Sequence, residues 1–113
     1  MNAVQSIGGF LTPYDYENIT VATVAIGFTA TKVKPGTTVA DRDLGHARSI
    51  LVTVEEADIR YTIHGSDPVA GSSTGHLAVS GSVLSFSNYQ AMLNFRAVRA
   101  AGTSAKLKVT YLR

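Results

Sequence analysis

Apolar and polar residues alternate with a period of two along most of the chain, and no stretch of helical period competes with that pattern. Strands are therefore placed by the parity of their residues. Ile50, Val52 and Val54 fall on one face, with Leu51, Thr53 and Glu55 on the other. Ile59, Tyr61 and Ile63 alternate with Arg60, Thr62 and His64, the pattern of a strand with one buried and one wet face. The connector Glu55-Glu56-Ala57-Asp58 is short enough for a turn, so these two strands are expected to form an antiparallel hairpin. Near the C-terminus Leu107, Val109 and Tyr111 oppose Lys106, Lys108 and Thr110, and Ala101-Gly102-Thr103-Ser104 joins them to 93–99 as a second expected hairpin. A third is expected where Ser80-Gly81 links 77–79 to Ser82, Leu84 and Phe86.

Residues 18–31 are long and apolar, but the parity slips: Ile19 and Val21 lie on one phase, Val24, Ile26 and Phe28 on the other. A bulge near Ala22-Thr23 or a bend at Gly27 would reconcile them. Residues 34–47 lack a stable period and read as a loop, and 64–75, with Gly65, Asp67-Pro68, Gly71 and Gly75, is turn chemistry throughout. One helical turn capped by Asn88 is expected over 88–92. The fold class that fits is all-β, an antiparallel β-sandwich of jelly-roll or Ig-like type with about seven or eight short strands, a small barrel being the other closed solution.

Residues 1–17 behave differently and are read as an N-terminal arm on a single domain, 18–113. The stretch from Met1 to Leu11 is apolar without a period, and Thr12-Pro13-Tyr14-Asp15-Tyr16 reads as a turn-like aromatic cluster. Either the arm covers an edge of its own core or it docks on a neighbouring subunit. In the second case Val4, Ile7, Phe10, Leu11, Tyr14 and Tyr16 are the candidate partner-binding residues.

Composition sharpens the picture. A chain of 113 residues holds one core. Charged residues are 16% of it, against about 25% in a typical globular domain. Hydroxyls take their place, with twelve Thr and ten Ser, and twelve Val and six Ile complete a β composition. The absence of Cys excludes disulfides, thiolate metal sites and cysteine nucleophiles. The net charge is +2 and the ten Lys and Arg are scattered, so nucleic-acid binding is not expected. No apolar run is long enough for a membrane helix, and residues 1–10 lack the basic start of a secretory signal, so synthesis in the cytoplasm is expected.

Candidate chemistry is sparse. His46, His64 and His76 have no partner at ligand spacing, and Asp41 and Asp43 are separated by Arg42 with no Glu or Asn completing a calcium loop, so no metal is expected. No Gly-x-Ser-x-Gly elbow occurs; Gly71-Ser72-Ser73-Thr74-Gly75 lacks the Lys of a phosphate loop; and Glu55-Glu56, adjacent along a strand, would point to opposite faces. The expectation is a protein without catalytic residues or cofactors.

Two resemblances bear on function. Ile59-Arg60-Tyr61-Thr62-Ile63-His64-Gly65-Ser66-Asp67-Pro68 resembles a strand-and-turn signature of β-sandwich domains, including small C-terminal domains of chitin-degrading enzymes, with His64 where Asp is usual. More widely, Ile-Thr-Val-Ala-Thr from Ile19, the 59–68 segment, Gly75-His76-Leu77, Asn94-Phe95-Arg96-Ala97-Val98-Arg99 and the run from Ala101 to Tyr111 are similar to small virion structural proteins of tailed bacteriophages. The 34–47 loop stands outside that shared pattern. The resemblance implies a particle-associated β-sandwich located in the virion, with capsid decoration, or cementing, as the commonest role for a chain of this size. Its implied partners are the major capsid protein or other virion proteins, and its implied state a homo-oligomer, a trimer being favoured. The alternatives are a neck- or tail-associated accessory protein and a carbohydrate- or receptor-binding adhesion module. The last would rely on Tyr14, Tyr16 and Tyr89, because Tyr61 and Tyr111 share parity with core residues.

Overall fold

The computed structural model describes residues 11–113 and contains seven strands and three short helices. The strands are β1 (Pro13–Val21), β2 (Ser49–Glu55), β3 (Ile59–Thr62), β4 (His76–Ala78), β5 (Val83–Phe86), β6 (Arg96–Arg99) and β7 (Ala105–Leu112). The helices are α1 (Ala30–Val33), α2 (Val39–Leu44) and α3 (Tyr89–Asn94). Two antiparallel sheets result, one of order β1-β7-β2-β5 and one of order β4-β3-β6. The chain is therefore mainly β.

Parity sets the faces as the alternation predicts. In β2 the side chains of Ile50, Val52 and Val54 are fully buried, and in β7 so are Ala105, Leu107 and Tyr111, with Val109 close behind. Register places Ile50 beside Tyr111, Val52 beside Val109 and Val54 beside Leu107, so two buried rows run side by side through the four-stranded sheet. Burial of each such Val, Leu or Ile side chain contributes about 1.5–3 kcal/mol. Ile59, Phe95 and Ala97 from the other sheet and its approach join the same cluster. Its centre is aromatic: the Phe28 ring stacks on Phe95 at 4.4 Å, and Phe86 meets Phe95 edge-on at 5.3 Å.

The strand partners differ from the expected hairpins. β2 and β3 lie in different sheets, as do β4 and β5, and β6 and β7. Each short connector is an arch that carries the chain across the core. The reason is occupancy: both edges of β2 are taken, by β7 and β5, so β3 has no place beside it. At the first arch Glu56 adopts φ 74°, and the Ala57 N–H donates to the Glu55 carbonyl at 2.9 Å, which reverses the chain within three residues.

Other boundaries move too. β1 begins at Pro13, so residues 13–17 belong to the sheet and not to a separate arm ending at 17. The apolar 18–31 segment is not one strand; β1 stops at Val21, and Ile26 then bridges Ala97 on the opposite sheet. The parity slip marks that crossing. The 34–47 stretch holds α2, whose Thr38 and Asp41 form a reciprocal capping box. Asn88 caps α3 as expected, its side chain accepting from the Ala91 N–H at 3.0 Å. β3 ends at Thr62, leaving Ile63 exposed. The 63–75 loop folds back over the outer face of the three-stranded sheet: Thr62 Oγ1 donates to the Ser66 carbonyl at 2.5 Å, the Gly71 N–H donates to the Arg99 carbonyl at 3.4 Å, and Val98 of β6 and the loop's own Pro68 are buried. Gly75 sits at φ 90° there, and a Cβ on it would lie 2.8 Å from the Tyr61 carbonyl oxygen. Among the described residues no helix is long and apolar enough to cross a membrane.

Candidate functional site

Val4, Ile7 and Phe10 lie outside the described residues. Leu11 is half-buried just before β1. Tyr14 and Tyr16 are two positions apart, yet they part company: Tyr16 is 70% exposed, whereas Tyr14 turns in toward the 30–44 segment. The cause is a bulge, since the β1–β7 register shifts between Pro13 and Asp15. The Tyr14 hydroxyl donates to the Lys32 carbonyl at 2.5 Å, and its ring lies 4.2 Å beneath the Arg113 guanidinium. Tyr111, next in the row, is buried and donates its hydroxyl to Glu17.

A cleft of about 420 Å³ opens between β1 and the 31–41 segment, with Tyr14, Asp15, Lys32, Asp41 and Arg113 in its wall. Lys32 Nζ meets Asp15 Oδ2 at 2.9 Å, and Arg113 Nη2 meets Asp41 Oδ1 at 2.9 Å. The hydrogen bond from Lys32 holds Asp15 below the usual carboxylate range, and the same contact raises Lys32. Arg113 likewise lowers Asp41, helped by bonds from Thr38 and Thr37. Burial pushes the Tyr14 phenol up to about 12, against the opposing pull of Arg113. Burial first, and then the bond to Glu17, raise Tyr111 as well. The two ion pairs make the cleft a clamp: its matched charges tie α1 and α2 to the end of the four-stranded sheet. Sequence reasoning missed it, although the Thr38-x-x-Asp41 capping spacing was there to be read.

The histidines are dispersed. His46 stacks on Tyr89 at 4.1 Å, His76 lies 5.4 Å from Tyr61, and His64 is exposed. Among the described residues no three His, Asp or Glu side chains gather as a metal-ligand set.

What the fold presents outward is a sheet face and its edges. On the outer face of the four-stranded sheet Tyr16, Thr110, Leu51 and Ser85 form one cross-strand row, and Asn18, Lys108, Thr53 and Val83 the next. Lys106 and Thr20 continue it, joined Nζ to Oγ1 at 3.1 Å. The surface is rich in hydroxyls and carries a short basic stripe along β7, as the alternation of Lys106 and Lys108 predicts. The chain matches no protein family, no curated protein and no solved structure.

Proposed function

We propose that this chain is a virion structural protein of a tailed bacteriophage, a capsid decoration protein whose β-sandwich body is held on the assembled head by its N-terminal arm and sheet edges. The observation that carries the reading is the way the chain that follows residues 1–10 is tied into the body. β1 forms a ladder with β7, running from Pro13 beside Leu112 to Val21 beside Ala105. Thr12 and Arg113 close that ladder with two reciprocal backbone bonds of 3.1 Å. Whatever the arm grips is thereby coupled to the centre of the four-stranded sheet. Low charge and abundant hydroxyls suit a surface partly covered by neighbours, where many modest contacts add through multivalency. A homotrimer on the shell is the assembly we favour.

The glycan-binding alternative is weakened by the tyrosines it would use. Tyr14 is turned inward and Tyr89 is stacked on His46, which leaves Tyr16 alone on an open face. Copy number per purified particle is the test. Hundreds of copies, together with loss of resistance to heat and osmotic shock in particles lacking the chain, support decoration. A handful of copies points to neck or tail, and absence from particles overturns the proposal. Deleting residues 1–11 is expected to leave a folded domain that no longer binds particles.

A further inference from the structure

From Pro68 to Phe95 the chain has no Asp, Glu, Lys or Arg, and from Met1 to Tyr14 it again has none; the ten basic and eight acidic side chains all lie outside these two stretches. The first stretch contains β4 and β5, which are the outer strands at one side of both sheets. Leu77, Val79 and Val83 stand exposed along it, Val83 at 64%. Natural sheet edges are usually guarded by a Lys, a Pro or a bulge. Val83–Phe86 holds no Lys or Pro, the bulge that Gly81 and Ser82 form opposite Val54 stands only at its entry, and no described residue pairs with its far side. The Val54 N–H donates to the Ser82 carbonyl at 2.9 Å, so by antiparallel alternation the amides of Val83 and Ser85 point away from β2 into the open.

We propose that residues 1–10 of one copy add as an extra strand to the β5 edge of a neighbouring copy, so that the protein assembles head to tail through its own arm. This rests on the arm-docking reading above and gives the arm a second copy as its receptor, so that the head holds the assembled copies rather than single chains. Two features support it. The two charge-free stretches match, so neither side must bury a charge to meet the other. The arm leaves from β1, at the edge of the sheet opposite β5. Donor and acceptor therefore sit on opposite sides of one body, the arrangement that makes a heterologous, ring-forming or lattice-forming contact. Backbone bonds would supply the pairing, with Val4 and Phe10 on one face of the added strand and Ile7 on the other.

The test uses purified chain with no particles present, which keeps it separate from the particle-binding proposal. Light scattering after size exclusion should find the full chain assembling as concentration rises. Removal of residues 1–10 should abolish assembly, and so should Ser85→Pro, which deletes an outward amide. Val83→Lys, which guards the edge with a charge, is a second edge variant should the proline unfold the strand. Mixed in equal amounts, the arm-deleted chain and an edge variant should form a one-to-one heterodimer and stop there, since each supplies the half the other lacks. A full chain that stays monomeric, an arm-deleted chain that still assembles, or folded variants that fail to pair when mixed would each overturn the inference. Loss of particle binding with self-assembly intact would instead count against the virion role alone.

Discussion

Arg113 and Asp41 stand 72 positions apart and meet at 2.9 Å, with their side chains only 8% and 12% exposed. The same guanidinium donates from Nη1 to the Gly45 carbonyl at 3.2 Å and covers the Tyr14 ring. One side chain thus fastens α2, the turn after it and β1 together. Arg113→Met is expected to lower the melting temperature and to raise hydrogen exchange at the amides of 38–45 well above that in β2 and β7. Asp41→Asn should do less, because an amide oxygen still caps the Thr38 turn. Equal exchange in the variant and the parent would show that the clamp holds nothing.

Acid and alkali should act on different parts of the clamp. Asp15 and Asp41 titrate lower in the folded chain than unfolded, so the stability they contribute is present above about pH 4 and is lost as pH falls below it. Tyr14 is raised from 10.0 to about 12, so its contribution is complete below pH 10 and disappears as pH rises toward 12. Urea midpoints measured across pH should form a plateau with a fall at each end. Tyr14→Phe should make the alkaline fall shallower, the remainder belonging to Tyr111, and leave the acid one unchanged.

Phe95 is fully buried, stacked on Phe28 and touched by Phe86 and Tyr61. Phe95→Ala should destabilise the fold by about 3–5 kcal/mol, the range for emptying a large aromatic site. Urea titration followed by circular dichroism reads the loss. A change below about 1 kcal/mol would mean that the aromatic cluster collapses around the gap, which the close packing of protein cores opposes.

Two glycines make a matched pair. Gly75→Ala should destabilise, because φ is 90° and the new Cβ meets the Tyr61 carbonyl at 2.8 Å. Gly36→Ala meets nothing within 4 Å and should be neutral or stabilising by about 0.5 kcal/mol. Comparison of the two melting temperatures separates local strain from the general effect of removing a glycine.

The alternation of Ile50, Val52 and Val54, and of Leu107, Val109 and Tyr111, was legible as buried faces because period two reports which side a residue points to. It does not report which strand lies alongside. The three residues between Glu55 and Ile59 serve a hairpin and an arch equally well, and the choice was made by β7, whose pairing with β2 joins Glu55 to Lys106. Tyr14 was misplaced for a related reason: the bulge that turns it inward is a property of the β1–β7 pairing, so β1 alone does not reveal it. The cleft rests on contacts such as Asp15 with Lys32 and Asp41 with Arg113, whose members are remote in sequence and carry no joint signal there.

The β1–β7 ladder also has a mechanical meaning. Tension drawn along β1 would load its backbone bonds together, in shear, with the Thr12–Arg113 pair taking up the first slack. Tension applied sideways would instead peel the strand from its end, one bond after another. The angle at which the leading segment is pulled, more than the strength of its grip, would then decide how much force the body withstands before β1 is torn from the sheet.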